Sequence, residues 1–168
     1  YVEGRGESLP FADDSFAVVT CCDVLEHVND VAQVIREVSR TLRPGGVFLF
    51  DTVNRTVMSW LVLIKLWQDW GWAGLPANVH VWNKFIKPNE LAALMQDSGL
   101  ASKGLKGIGP KENPLIFLSR LRKLRASKVR GTAVADLFAM RETNDLGISY
   151  MGWAIRQPKD GGSKGLKD

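Results

Sequence analysis

FAVVTCCDVLEHV, residues 16–28, drives a short apolar, β-branched run straight into Asp23, Glu26 and His27. Its length and composition predict a buried strand. The period then changes. Asn29 or Asp30 is placed to cap a helix, and Val31, Val34, Ile35, Val38 and Leu42 recur at helical spacing to form one apolar face. Pro44-Gly45-Gly46 is expected to stop that helix. VFLFDTVN, residues 47–54, then reads as a second buried strand that again ends in polar residues. Strand, helix, turn and strand in this order make a βαβ unit, and so parallel strands flanked by helices. Ligands in such sheets sit beyond the carboxyl ends of the strands. Asp23, Glu26, His27, Asp51 and Asn54 all fall there.

Working outward, YVEG at 1–4 reads as a short strand and RGESLPFADDS at 5–15 as a loop. After Asn54 comes the apolar segment SWLVLIKLWQDWGW, 59–72, and then a loop through HVWNKFIKP, 80–88. Pro88 suits the first turn of a helix that Gly99 closes. LASKGLKGI at 100–108 is a candidate strand, residues 114–140 read as helical, and GISYMGWAIR at 147–156 as the last strand. The Gly- and Lys-rich tail, 158–168, is expected to be disordered, which leaves residues 1–157 as one domain.

With 168 residues, 45% of them hydrophobic and 24% charged, the chain has the balance of a folded globular domain. The two cysteines are adjacent, so an ordinary bridge between Cys21 and Cys22 is sterically disfavoured, and a reducing, cytoplasmic setting is expected. There is neither a signal-peptide pattern nor an apolar run of the roughly 20 residues that span a bilayer. The chain opens on Tyr1, directly in strand-like sequence, which is the expectation for a piece of a longer protein.

These segments resemble the class I S-adenosylmethionine-dependent methyltransferases. ESLPFADDSF, the strand with VLEHV, and the LRPGG turn carry the resemblance to the superfamily. DTVNRT at 51–56, HVWNKFIKPNEL at 80–91 and ISYMGWA at 148–154 are similar to the narrower ubiquinone-biosynthesis O-methyltransferases, which methylate phenolic hydroxyls of polyprenylated rings. The resemblance implies an α/β, Rossmann-like sheet of which this chain holds the carboxyl-terminal portion. The family's first two strands, its glycine-rich cofactor loop and its ribose-binding acid have no counterpart here. GRG at 4–6 lies after a different strand and does not replace that loop. These residues alone are therefore expected to hold S-adenosylmethionine weakly. Arg5 stands where many relatives have an acid near the adenine, and Ala17 where they often have Asp. The resemblance places Gly6, Glu7 and Cys22 near the cofactor, and Asn54 and His80 toward the substrate.

A phenol titrates near 10, so its methylation at neutral pH needs a base or a metal. His27 is the candidate base, because an imidazole ordinarily accepts a proton near neutrality. At spacings of three and four residues, Asp23, Glu26 and His27 would share one side of a helical turn. Together they form a candidate catalytic group, or a site for a divalent cation such as Mg or Zn. The structural alternative has Asp23 capping the helix, Glu26 favouring its N-terminus, and His27 packed.

Two surface features bear on partners. Four of the six tryptophans lie between Trp60 and Trp72, and Lys65, Gln68 and Asp69 share helical spacing. Residues 57–88 are thus expected to form an amphipathic insertion that faces substrate or rests on a membrane, with burial on the sheet as its rival. The run SRLRKLRASKVR, 119–130, carries six basic residues that would favour an anionic bilayer. No nucleic-acid recognition motif accompanies it, and no nucleic acid is expected. The expected protein is a cytoplasmic methyltransferase peripheral to the inner face of a membrane. Its acceptor would be a phenolic, polyprenylated quinone precursor. Another small phenol or lipid as acceptor stays open, as does a non-catalytic remnant that acts as a membrane-associated binding module.

Overall fold

A computed structural model describes residues 1–69, 79–110, 116, 119 and 140–158. Strand β1 (Phe16–Cys21) leads through a loop to helix α1 (Val31–Thr41), which returns to strand β2 (Leu42–Val53). β1 and β2 pair in parallel, as a βαβ unit requires. Asp30 caps α1, its carboxylate accepting the Gln33 amide at 2.9 Å. Val34, Ile35 and Val38 bury the helix face that the spacing predicts.

The PGG segment behaves differently from the turn its residues suggest. α1 already ends at Thr41, and Leu42 is its fully buried C-cap rather than a face residue. The strand assignment runs through Pro44-Gly45-Gly46. The register jumps from Phe16 opposite Leu42 to Val18 opposite Val47, so these residues form a bulge in β2. Gly45 has φ +77°, a conformation glycine adopts without strain. YVEG forms no strand. Nothing pairs with it among the described residues, and the nearby backbone makes only an Arg5–Ser8 bridge.

Beyond β2 come α2 (Val57–Ser59), a π-helical segment (Trp60–Asp69), a 3₁₀ turn (Trp82–Lys84) and α3 (Pro88–Asp97). β3 (Leu100–Pro110), β4 (Met140–Thr143) and β5 (Ser149–Arg156) complete a sheet of order β1-β2-β5-β3-β4. β5 inserts antiparallel between β2 and β3, and β4 pairs antiparallel with β3. The sheet is therefore mixed, and only its first pair is a parallel ladder. Residues 114–140, expected as a helix, fall largely outside the described residues. So do the basic run and the tail from residue 159.

Strand alternation divides the sheet into two faces. Phe48, Phe50, Tyr150 and Ala154 join Ile35, Val38, Leu91 and Met95 in the core between the sheet and α1 and α3. Tyr150, fully buried, donates its hydroxyl to the Ile86 carbonyl at 3.0 Å. The opposite face presents Val18, Leu49 and Trp153, which are 52%, 41% and 42% exposed. An open cavity of about 470 Å³ lies over it, floored by Leu49, Asp51, Met151 and Trp153, with Cys22 at one end.

Arg40 fastens the loop before β1 to α1. Its guanidinium donates to Glu37, to Asp13 and to the carbonyls of Leu9 and Phe11. The Leu9 amide closes the arrangement on Glu37 at 2.8 Å. The Arg40 guanidinium holds the Glu37 carboxyl below the usual carboxylate range. Gly6 sits against the same helix, where a Cβ would meet Val34 at 3.3 Å.

Candidate active site

β1 ends at Cys21, and the chain turns sharply at Asp23, a non-glycine residue with φ +53°. Asp51, the adjacent residue on β2, accepts the Asp23 amide at 2.9 Å and so ties the two strand ends together. Burial pushes the Cys21 thiol up to about 12. Cys22 is exposed, and its thiol is also raised, by desolvation and then by its bond to Asp51. Both shifts favour the thiol over the nucleophilic thiolate. Cys22 nevertheless lies at the strand's carboxyl edge, where a ligand can pass. Glu7 and Gly6 lie half-buried in the loop that Arg40 holds.

Asp23, Glu26 and His27 do not share a helical turn. Residues 25–27 form an isolated turn, and the helix begins only at Val31, with Asp30 rather than Asp23 as its cap. Asp23 and His27 are exposed, whereas Glu26 is 2% exposed and faces inward. Its Oε2 accepts the hydroxyl of Thr52 on β2 at 2.9 Å. Among the described residues, no three His, Cys, Asp or Glu side chains converge into a metal-binding group. The expected Asp23, Glu26 and His27 cation site is corrected on this geometry: the acid needed for it is turned into the core.

Burial raises the Glu26 pKa above 4.5, against the opposing pull of its own amide, Thr52 and His27. A raised value in the fold means that its stabilising contribution is complete below the unfolded pKa and is lost as pH rises through the folded one. Glu26→Gln keeps an acceptor for Thr52 and removes the buried charge. The variant is expected to melt higher than the parent at pH 7.5 and about level with it at pH 4. A pH series of thermal melts checks this, and parallel curves for the two proteins would contradict it.

Asn54 is buried and already engaged. Its amide nitrogen donates to the Leu146 carbonyl at 2.8 Å, its backbone amide to Ile148, and its carbonyl receives the Ser59 hydroxyl. It clamps the loops behind the strand ends. His80 comes much closer to His27 than a distance of 53 positions along the chain suggests. The rings of His27 and His80 lie 5.5 Å apart at 32°, and Phe85 meets His80 edge-on at 6.0 Å. Lys84 bridges from below, its ammonium donating to the His27 carbonyl and to Asn29 Oδ1, both at 2.9 Å. Burial pushes the His80 imidazole down, the neighbouring His27 adds to this, and Asp23 opposes it.

The apolar segment is amphipathic, but not as its α-helical spacing predicts. Its winding is π rather than α, which sets Lys65 over the ring of Trp60 at 5.3 Å. Lys65 pairs with Asp69 at 2.6 Å toward solvent. Gln68 does not join them; it turns to the backbone of His80. Leu63 packs with Val53 and Phe85, while Val57, Met58, Trp60 and Leu61 are exposed. Trp70 and Trp72 lie outside the described residues. No helix of the described residues is long and apolar enough to cross a membrane.

A Rossmann-like sheet with a βαβ unit on one flank, and polar groups gathered at its carboxyl edge, is the class I methyltransferase fold. Residues 4–102 match the family described as methyltransferase domain, and the chain belongs to that family. It is 32% identical over 145 residues to a ubiquinone biosynthesis O-methyltransferase of Paramagnetospirillum magneticum, covering 86% of this chain and 48% of that protein. It is 40% identical over 113 residues to one of Pseudomonas putida, covering 67% of this chain and 46% of that protein. The chain thus spans about half the length of the curated relatives it matches. Among solved structures, a SAM-dependent methyltransferase of Thermotoga maritima superposes with a TM-score of 0.56 at 18% identity, covering 93% of this chain and 63% of that one. The [4+2]-cyclase SpnF superposes with 0.54 at 17% identity, covering 92% and 55%. The fold alone therefore does not fix the reaction.

Proposed function

We propose that the intact protein moves a methyl group from S-adenosylmethionine to a phenolic hydroxyl on a polyprenylated quinone precursor, and that this chain supplies the acceptor side of the site. The observation that carries the reading is the exposed imidazole of His27 in the turn that follows β1, with the ring of His80 5.5 Å from it. The names of the similar curated proteins support the substrate class.

When bound, S-adenosylmethionine supplies an electrophilic methyl on a positively charged sulfur. Gly6, Glu7 and Cys22 border the edge where it would lie, and the Arg40 network keeps the loop of Gly6 and Glu7 against α1. The methionine and ribose ends find no glycine-rich loop or acid within these residues. His27 would take the phenolic proton and so free the oxygen to accept the methyl group that bound S-adenosylmethionine would supply. Lys84 and Asn29 fix the turn that carries His27. Glu26 shapes that turn from within and touches no reacting atom. His80 backs the base, and Asn54 holds the adjoining loops.

Val57, Met58, Trp60 and Leu61 place the protein against the membrane in which such a substrate dissolves. Burying about 200 Å² of apolar surface there contributes roughly 5 kcal/mol, more than screened surface charges add. The double variant Trp60→Glu with Leu61→Glu is expected to lose activity on an acceptor embedded in liposomes. It should keep activity on a short-chain, water-soluble analogue. Equal losses on both acceptors would show that the stretch serves folding rather than docking.

A further inference from the structure

The described residues contain one buried side-chain polar atom without a hydrogen-bond partner, His80 Nδ1. His80 itself is half-buried, and its ring lies beside the exposed ring of His27. A side chain in such a place is usually held by its own polar atoms. Here the backbone is held instead. Gln68 Oε1 accepts the His80 amide at 2.8 Å, and Gln68 Nε2 donates to the His80 carbonyl at 3.3 Å. One carboxamide thus engages both backbone groups of the residue, and the edge of Phe85 limits the ring on another side. Gln68 sits at the end of the π-helical segment Trp60–Asp69.

From this geometry we infer that Gln68 is a positioning residue: it sets the ring of His80 against His27 and makes the apolar segment and the base one mechanical unit. A small displacement of a group that supports a base lowers turnover far more than binding. The consequence is a link between the surface that meets the substrate's apolar tail and the group that takes its proton. Displacing the segment carries Gln68 with it, and with Gln68 the neighbour of His27. The inference rests on the reading of His27 as base only for its effect on turnover. The ring placement is separate.

The test uses the intact protein with Gln68→Leu, which keeps size and removes both bonds, and Gln68→Glu, which keeps only the acceptor for the His80 amide. NMR of the imidazole carbons should show the His27 and His80 signals shifting in Gln68→Leu as the rings separate, with a smaller shift in Gln68→Glu. Turnover should fall about tenfold in Gln68→Leu, with KM for S-adenosylmethionine unchanged and partial recovery in Gln68→Glu. Because Gln68 acts through His80, adding Gln68→Leu to His80→Ala should cost nothing further. Unmoved imidazole signals in a folded Gln68→Leu protein overturn the inference, as do multiplicative losses in the double variant. If Gln68→Leu does not fold, unmoved signals and full turnover in Gln68→Glu overturn it equally. Should the signals shift while His27→Ala leaves turnover intact, the positioning stands and the reading of His27 as base falls.

Discussion

His27→Ala in the intact protein is expected to lower kcat by about a hundredfold or more, the usual contribution of a positioned general base. His27 is exposed at the end of β1, and the turn that holds it is fixed through backbone groups. Its own amide bonds to Val24, and its carbonyl receives Lys84. Removing the ring leaves those bonds in place, so the melting temperature should barely move. The phenol would then have to ionise unaided, and the lost rate should return in part as pH approaches the phenol's own pKa near 10. Steady-state kinetics from pH 6 to 10 check both points. A variant with full turnover at pH 7 would remove His27 from the chemistry.

Phe48→Ala is expected to cost about 3–5 kcal/mol, enough to remove much of the stability of a typical domain. Phe48 is wholly buried on the inner face of β2, 5.2 Å from the ring of Phe50 and packed in the core under α1 and α3. Phe48→Leu keeps most of the volume and should cost about 1 kcal/mol. Urea denaturation of both variants measures the difference. Similar small losses would mean that the inner face is packed differently from the arrangement described.

The parts of the fold set by local pattern were readable in the sequence. β1, α1 and β2 follow from a short β-branched run, a 3.6-residue apolar period and a second apolar run, but the burial expected of β1 does not hold: it is an edge strand on which only Cys21 is buried. Pro88 and Gly99 bound α3 for reasons internal to those residues. The Pro44-Gly45-Gly46 bulge was not readable, because turn chemistry and bulge chemistry call for the same residues, and only the register against β1 separates them. The π winding of Trp60–Asp69 escaped too, since an apolar segment with few polar residues fits either period.

The site was half legible. That functional groups gather past β1 and β2 follows from the topology. Asp23, Glu26 and His27 do not share the helical turn their spacing suggests, because their partners are distant in sequence. Glu26 is claimed by Thr52, Asp23 is turned out by a positive φ and the pull of Asp51 on its amide, and His27 meets His80. The bond from the Asn54 side-chain nitrogen to the Leu146 carbonyl joins residues 92 positions apart and has no sequence signal. Gln68 and Lys84 gave no signal beyond a polar residue in an apolar or aromatic setting, which is ordinarily a solvated face.

A tritiated methyl group followed from S-adenosylmethionine in the intact protein shows whether a phenolic oxygen is the acceptor. It is offered a polyprenylated catechol or the same compound with its hydroxyls capped as ethers. Label is expected on oxygen of the free phenol, none on the capped compound, and about one hundredth of the rate with His27→Ala. Label appearing on carbon or nitrogen, equal labelling of the capped compound, or no transfer to any phenol would contradict this expectation.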